Sequence, residues 1–310
     1  MSWLLIAIVA YFFLALVNIG DKLFLGNFVP NYKVYTAIVG FLGLIVFLVS
    51  PWFLVWPGGF VFIISLISGS LFLVALLAFF YSLQAGEPSR VIPFIGGLVP
   101  IFSLVFAFVF LGSTFTITQV YAFILLIFGS TLIVRLPHRT HWWNKIWESI
   151  HPPHHTKEMV VVVSAAVLFA ISFVSSKYVF QQVGFTNGFI WMRFGGLIVA
   201  LWLIAYKDTR QSLINTLGRI KSKKGILFIA NQGLGAIGFF LQSLAVSLGS
   251  VAIVNALQGV QYVFVIFLAV LVSLKFPKLS GEEKIDFKII IEKVIAVLIV
   301  GAGLVVLAFN

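Results

Sequence analysis

The chain has 310 residues, of which 61% are hydrophobic and only 9% are charged. Soluble domains carry roughly 25% charged residues, so this composition excludes a soluble protein. Runs that are apolar on every side also exclude an outer-membrane barrel, because the strands of such barrels alternate apolar and polar residues.

A membrane-spanning helix needs about 20 apolar residues, so a chain of this length has room for roughly ten such helices with their loops. Only a helix satisfies every backbone amide within its own segment in hydrocarbon. The predominantly apolar runs predict spans at residues 3–20, 34–50, 60–82, 91–111, 117–134, 159–180, 189–206, 225–247, 251–274 and 289–309. The predicted fold class is therefore an all-α polytopic membrane protein with ten transmembrane helices.

One polar segment separates two groups of five predicted helices. We expect a first repeat at 1–134, a cytoplasmic linker at 135–158 and a second repeat at 159–310. In the linker, "HWWNKIWESI" indicates a short interfacial helix. The neighbouring "HPPHH" has no helical spacing and no cysteine or carboxylate complement, so we expect neither a metal nor another cofactor.

The positive charges follow the order of the loops. All of the 20 Lys and Arg residues except Lys177 and Arg193 lie in the loops after the odd-numbered helices or, for Lys293, in the first turns of the helix that follows such a loop. Cytoplasmic loops collect such residues, which predicts a multi-pass cell-membrane protein with these loops inside and both termini outside. Anionic lipid accounts for the net charge of +11, so no nucleic-acid partner is expected.

The same charges distinguish the two halves. The loop "SPWFLVWPGG" after the second helix has no Lys or Arg, whereas its counterpart after the seventh helix has six. Equivalent loops on opposite sides of the membrane indicate an inverted repeat. Such repeats place a substrate site at the midplane and open it alternately to each side.

The segment "FYSLQAGEPSRVIPFIGGLVPIFSLVFAFVFLG" joins the third and fourth predicted helices. Its small-residue turn, Ser-Arg-Val opening and proline-bearing helix resemble those of EamA-type ten-helix members of the drug/metabolite transporter superfamily. The resemblance covers essentially the whole chain and implies two five-helix repeats. Leu111, Gly112 and Ser113 stand where the family has Leu-Gly-Glu, so any role of that glutamate does not carry over. Well-described members also keep both termini cytoplasmic, unlike the orientation predicted here.

These features predict a secondary transporter of a small polar or amphipathic metabolite, amino-acid-like or drug-like, that works by alternating access. The alternatives are an intramembrane lipid-linked enzyme and a non-transporting membrane scaffold. An enzyme would need clustered carboxylates or histidines at a membrane face, which the sequence does not show. We therefore expect no enzymatic activity. The expected partners are a small-molecule substrate and the lipid bilayer, with the chain as a monomer or homodimer.

Polar side chains within the apolar helices predict the substrate site. One face of the eighth helix carries Asn231 and Gln242, and one stripe of the ninth carries Asn255, Gln258 and Tyr262. Side chains at such spacings share a helix face. Each group either lines a cavity or forms polar contacts between helices.

The fourth helix occupies the equivalent place in the first half, with Arg90, Pro93 and Gly97 on one stripe. Proline removes a backbone donor, so this stripe predicts a broken or kinked helix that exposes backbone to substrate. The alternative is a kink that only shapes packing. Glu87 and Arg90 lie three residues apart and are expected to pair at the cytoplasmic mouth, as a gate or as part of the site.

Arg193 lies near the start of the seventh helix. Its forked donors either hold a carboxylate or phosphate of the substrate, or its side chain reaches the lipid headgroups. Asn18 in the first helix is expected to line an entrance. All nine carboxylates fall at helix ends or in loops, which favours a facilitator or exchanger, or coupling through Glu87 or Asp21 near a mouth.

Overall fold

The computed structural model describes residues 2–85, 88–135, 156–275, 295 and 298–306. Within these residues the chain forms α-helices and one 3-10 helix, with no strand. The predicted all-α class is confirmed.

The helices follow the predicted spans closely. Residues of the first half form α1 (Ser2–Phe24), α2 (Tyr32–Leu42), a 3-10 helix (Gly43–Val49), α3 (Ser50–Phe53), α4 (Gly59–Ala85), α5 (Pro88–Leu111) and α6 (Ile117–Arg135). Residues of the second half form α7 (Thr156–Val183), α8 (Phe185–Ala205), α9 (Lys207–Gly218), α10 (Lys223–Leu248), α11 (Val251–Ala256) and α12 (Gln258–Lys275). Residues 298–306 are also helical.

In the described part of the chain, six segments are long and apolar enough to cross a membrane. They are Ser2–Asp21, Tyr32–Phe53, Gly59–Gln84, Met159–Val183, Phe185–Ala205 and Lys223–Leu248. The apolar parts of α5, α6 and α11–α12 are shorter. The linker at 135–158, with its predicted interfacial helix and histidines, lies outside the described residues except at its two ends.

Side-chain caps define the start of two helices. The Asn31 side chain accepts a 3.0 Å hydrogen bond from the backbone N–H of Val34 and begins α2. Ser222 accepts a 3.1 Å bond from the N–H of Gly225 and begins α10. Both caps satisfy a backbone donor that has no partner within its helix.

A helix break occurs, but in the ninth predicted helix and not in the fourth. α5 continues without a break past Pro93 and Pro100, so the fourth helix is not broken, and the predicted kink stays a prediction. The fixed backbone angle of proline is itself helical, and the remaining hydrogen bonds hold the helix. The ninth helix divides at Leu257 into α11 and α12. At this break the Tyr11 hydroxyl donates a 2.7 Å bond to the Val254 carbonyl, so a side chain enters the hydrogen-bond ladder.

Helices of the two halves pack directly on each other. α1 lies along α10, α4 along α7 and α8, and α5 along α7 and α11. α4 and α8 approach most closely at glycines. A Cβ on Gly69 would lie 1.8 Å from the Met192 carbonyl oxygen, and one on Gly195 would lie 2.0 Å from the Leu66 carbonyl oxygen. Small residues allow such backbone contact between membrane helices.

The first, third and seventh loops meet at one end of the bundle. The Gln84 side chain accepts a 3.0 Å bond from the N–H of Tyr32 and donates to the Pro30 carbonyl at 3.2 Å. Arg219 donates a 3.1 Å bond to the carbonyl of Phe28. We call this the Phe28 end.

The second and sixth loops meet at the opposite end, which we call the Val55 end. The N–H of Val55 donates a 3.1 Å bond to the Asn187 side chain, and Trp191 Nε1 donates to the Val55 carbonyl at 2.9 Å. Odd and even loops therefore separate in space at these positions, as the distribution of Lys and Arg requires.

Candidate functional site

A cavity of about 380 Å³ lies between helices of both halves. Its volume falls within the roughly 300–1,000 Å³ of small-molecule sites. Most of the lining is aliphatic or aromatic. The polar lining residues are Tyr11, Asn18, Asp21, Arg193, Gln232, Gln242, Gln258 and Gln261. This combination of an apolar wall with a few polar groups is typical of a site for a small amphipathic molecule.

Arg193 projects from α8 against this cavity. Its guanidinium carbon lies 4.3 Å from the ring centroid of Phe189 and 4.7 Å from that of Phe239. Gly43 lies beside the stem, where a Cβ would come within 3.3 Å of Arg193 Cδ. Aromatic faces attract a cation and hold it in place. The guanidinium is therefore held between two phenylalanine rings beside the cavity.

The positive charge of Arg193 has no counter-ion among the described residues. Its Nε is buried without a hydrogen-bond partner, and no ion pair involves this side chain. Removing a cation from water without a partner is costly. A carboxylate or phosphate in the cavity would supply both the opposite charge and the acceptors that a guanidinium fork requires.

Asp21 is the second charged residue of the cavity lining. Its side chain is 6% exposed, and Oδ1 accepts hydrogen bonds from the Tyr35 hydroxyl at 2.5 Å and from Asn231 Nδ2 at 2.8 Å. Gln232 Nε2 donates to the Tyr35 hydroxyl at 2.8 Å. The cluster thus joins α1 and α2 of the first half to α10 of the second. We call these four residues the Asp21 cluster.

A glycine makes this cluster possible. A Cβ on Gly20 would lie 2.0 Å from Oδ1 of Asn231, so only a residue without a side chain lets Asn231 lie against α1. Asn231 was predicted as a site residue, and its role in the structure is to hold Asp21. Gln232, its neighbour, lines the cavity instead. Asp21 does lie near a helix end as predicted, but its burial was not anticipated.

A second polar group borders the cavity at the helix break. Gln242 Nε2 donates a 3.4 Å bond to the Tyr11 hydroxyl, which in turn donates to the Val254 carbonyl. Gln242 was predicted and lies in the cavity wall. Tyr11 was not predicted, although its hydroxyl is the only one between residues 3 and 17.

The predicted stripe on the ninth helix is divided by the break at Leu257. Gln258 lines the cavity, and so does Gln261. Asn255 is 1% exposed and donates a 2.7 Å bond to the Ser103 hydroxyl, while its Oδ1 has no partner among the described residues. Tyr262 packs on α5, where a Cβ on Gly96 would meet its hydroxyl at 1.7 Å. Asn255 and Tyr262 therefore face α5 and do not line the cavity.

The remaining predicted residues lie on α1 and at the start of α5. Asn18 lines the cavity. Gly97 is buried within α5, which contributes Ile95 and Val99 to the cavity wall. Arg90 and Pro93 belong to the α5 backbone, but their side chains lie outside the described part of the structure, as does Glu87. The predicted Glu87–Arg90 gate is therefore not described.

The two charged residues lie at different depths. Asn231, which holds Asp21, and Phe239, which packs on Arg193, are eight residues apart on α10. This separation corresponds to about 12 Å along the helix axis. The Asp21 cluster lies toward the Phe28 end, and Arg193 toward the Val55 end. In the described chain, no group of three His, Asp or Glu side chains is placed to hold a metal ion.

Comparisons with known proteins support the fold. No family model and no curated protein matches the chain. One solved structure, described only as the crystal structure of a protein, superposes with a TM-score of 0.63 at 16% sequence identity. The match covers 100% of this chain and 96% of the other. At this identity the likeness shows that the whole chain shares a known fold.

Proposed function

We propose that this protein is a secondary transporter, of the EamA type within the drug/metabolite transporter superfamily, for a small amphipathic metabolite that carries an anionic group. The observation that carries the proposal is Arg193, an unpaired guanidinium against a cavity of about 380 Å³ that both halves of the chain line. The inverted five-plus-five repeat and the outside location of the termini are parts of this proposal.

The lining defines the chemistry of the substrate. The guanidinium binds the carboxylate or phosphate with charge-assisted hydrogen bonds, which are roughly twice as strong as neutral ones. Phe72, Phe79 and Phe239 provide an apolar wall for the body of the molecule. The amides of Gln242 and Gln258 provide further donors and acceptors. The substrate is therefore an organic anion with an apolar body.

Contacts between the halves suit alternating access. The Asp21–Asn231 bond and the Arg219–Phe28 bond join the halves at the Phe28 end. The bonds of Val55 with Asn187 and Trp191 join them at the Val55 end. Contacts at both ends allow one set to break while the other holds as one half rocks against the other, the motion typical of such transporters. By the distribution of Lys and Arg, the Phe28 end is cytoplasmic.

The lining argues against the lipid-linked enzyme. Among the described lining residues, Asp21 is the only carboxylate, and its hydrogen bonds are with Tyr35 and Asn231. Acid–base or metal-assisted chemistry on a lipid would need a second carboxylate or a histidine beside it. A static scaffold, in turn, has no use for an unpaired cation beside a cavity.

A thermal-shift screen on purified protein tests the proposal. The probes are 3-phenylpropionate, octanoate and phenyl phosphate, each with an uncharged analogue such as 3-phenylpropionamide. A ligand that binds the native state at 100 times its Kd adds about 2.7 kcal/mol to stability. We expect at least one anion to stabilise the protein, its neutral analogue not to do so, and the effect to be lost in Arg193→Gln. Equal effects of anions and amides would contradict the proposal.

A further inference from the structure

We infer that Asp21 is a proton-binding coupling site that controls contact between the two halves at the Phe28 end. In its ionised form the carboxylate holds α1, α2 and α10 together, and protonation releases them. The inference rests on the proposed function only for its use in transport. The proton-dependent contact itself is a property of the chain that is measured without any substrate.

Hydrogen-bonding groups from two helices surround Asp21. From α2 the titratable group that faces it is the Tyr35 hydroxyl, and from α10 the facing groups are the amides of Asn231 and Gln232. No ion pair joins Asp21 to a cationic side chain in the part of the chain that the structure describes. A buried carboxylate that is hydrogen-bonded to neutral groups binds a proton more readily than a cation-paired one, because no fixed charge holds its ionised form.

Proton binding to Asp21 changes the strength of its hydrogen bonds. The ionised carboxylate accepts bonds from Tyr35 and Asn231 as an anion, and bonds to an ionised acceptor are roughly twice as strong as neutral ones. When a proton from water binds to the carboxylate, the group becomes a neutral acid with its own O–H donor. Both accepted bonds then weaken. One of them, from Asn231, joins the first half to the second.

Water in the cavity has access to Asp21. Asp21 and Gln232 both line the cavity, so water in the cavity reaches the cluster when the substrate leaves or enters. An intramembrane carboxylate that faces a cavity is typical of proton relays in transporters. Arg193 lies about 12 Å farther along the bundle axis, so substrate and proton have separate sites in one cavity. Their binding is coupled through the same rocking motion of the halves.

The absence of cysteine in the chain makes a direct measurement simple. Asn27 and Lys221 are exposed residues of the two halves at the Phe28 end. Spin labels on the double variant Asn27→Cys/Lys221→Cys report the distance between the halves by double electron–electron resonance. The measurement is made without added substrate at about pH 5 and about pH 9, a range that includes known pKa values of buried carboxylic acids.

We expect a longer-distance population that is about tenfold larger at the lower pH, a shift that a change of 1.4 kcal/mol produces. Asp21→Asn keeps the size of the side chain but cannot ionise, so it should show the longer distances at both pH values. Asp21→Glu should retain the pH dependence. Size-exclusion profiles of both variants establish that they are folded.

Infrared difference spectroscopy provides the second measurement. The carbonyl stretch of protonated carboxyl groups should grow as pH is lowered, and the component that belongs to Asp21 should be missing from the difference spectrum of Asp21→Asn. Identical distance distributions at both pH values, or a pH shift that persists in Asp21→Asn, would overturn the inference. Neither result would affect the anion-dependent thermal shift through Arg193, so failure of the coupling site and failure of the transporter proposal are distinguishable.

Discussion

The side-chain amide of Asn231 donates a 2.8 Å hydrogen bond to the carboxylate of Asp21, and it joins residues that lie 210 positions apart. Asn231→Leu removes this donor and leaves Asp21 with the Tyr35 bond. Hydrogen bonds to charged groups contribute about 1.5–3 kcal/mol, and we expect a loss of stability of that order. Thermal unfolding of the purified variant, followed by size-exclusion fluorescence, measures it.

Two further variants test the same bond. Gly20→Ala places a methyl group 2.0 Å from Asn231 Oδ1 and should reproduce the loss, because the amide is pushed away from Asp21. In the Asp21→Asn background, Asn231→Leu should have a smaller effect, because the lost bond is then neutral. Equal losses in both backgrounds would show that the amide does not act through Asp21.

Arg193 gives a prediction in which stability and binding change in opposite directions. Replacing this unpaired cation by an apolar residue of similar length, Arg193→Met, should raise the melting temperature and abolish the stabilisation by anions. A gain of about 1 kcal/mol corresponds to roughly 2–4 °C in a chain of more than 150 residues. Arg219→Met is the matched control. Arg219 donates to the Phe28 carbonyl, so its loss should lower the melting temperature and leave anion binding intact. A lower melting temperature for Arg193→Met would mean that the arginine is mainly structural.

Neighbouring glycines on α8 provide a matched pair. A Cβ on Gly195 would lie 2.0 Å from the backbone oxygen of Leu66, whereas one on Gly196 would lie 3.8 Å from its nearest neighbour. Backbone atoms cannot yield as a side chain does, so Gly195→Ala should cost about 1–3 kcal/mol or more, and Gly196→Ala should be tolerated. Melting temperatures of the two variants decide this. Similar behaviour of both would argue against close packing of α4 on α8.

Two predicted site residues on the ninth helix should respond differently to the same change. Asn255→Leu removes the bond to Ser103 and should lower stability by about 1–3 kcal/mol. Ser103→Ala should have a similar effect, and the double variant should lose less than the sum of the two. Gln258→Leu, in the cavity wall, should leave stability nearly unchanged but weaken anion binding. The same thermal-shift assay reports both quantities.

Much of the fold follows from the sequence, because a long apolar run in a membrane has few alternatives to a helix. The positions of α1, α4, α7, α8 and α10 were predicted to within a few residues. The break at Leu257 was not, since it depends on a hydroxyl that α1 brings to Val254. The prolines of the fourth predicted helix indicated a break from the local sequence, but α5 is continuous.

The candidate site could be predicted only in part. Helical periodicity identifies which polar residues share a face, and Gln242 and Gln258 do line the cavity. Periodicity does not identify the helix that the face contacts. The sequence therefore could not distinguish Asn255 and Asn231, which bond to other helices, from Gln242 and Gln258, which line the cavity. The burial of Asp21 depends on Tyr35 and Asn231, which come from two other helices, and no pattern within α1 reports this.

Transport by the protein reconstituted in proteoliposomes tests the proposed transporter function most directly. Counterflow is measured with the radiolabelled form of whichever probe anion gives the largest thermal shift, in vesicles preloaded with the same unlabelled anion. We expect transient accumulation of label by the parent protein and its loss in Arg193→Gln, with Gly196→Ala retaining the activity of the parent. No counterflow of any stabilising anion by the parent, or undiminished counterflow in Arg193→Gln, would contradict it.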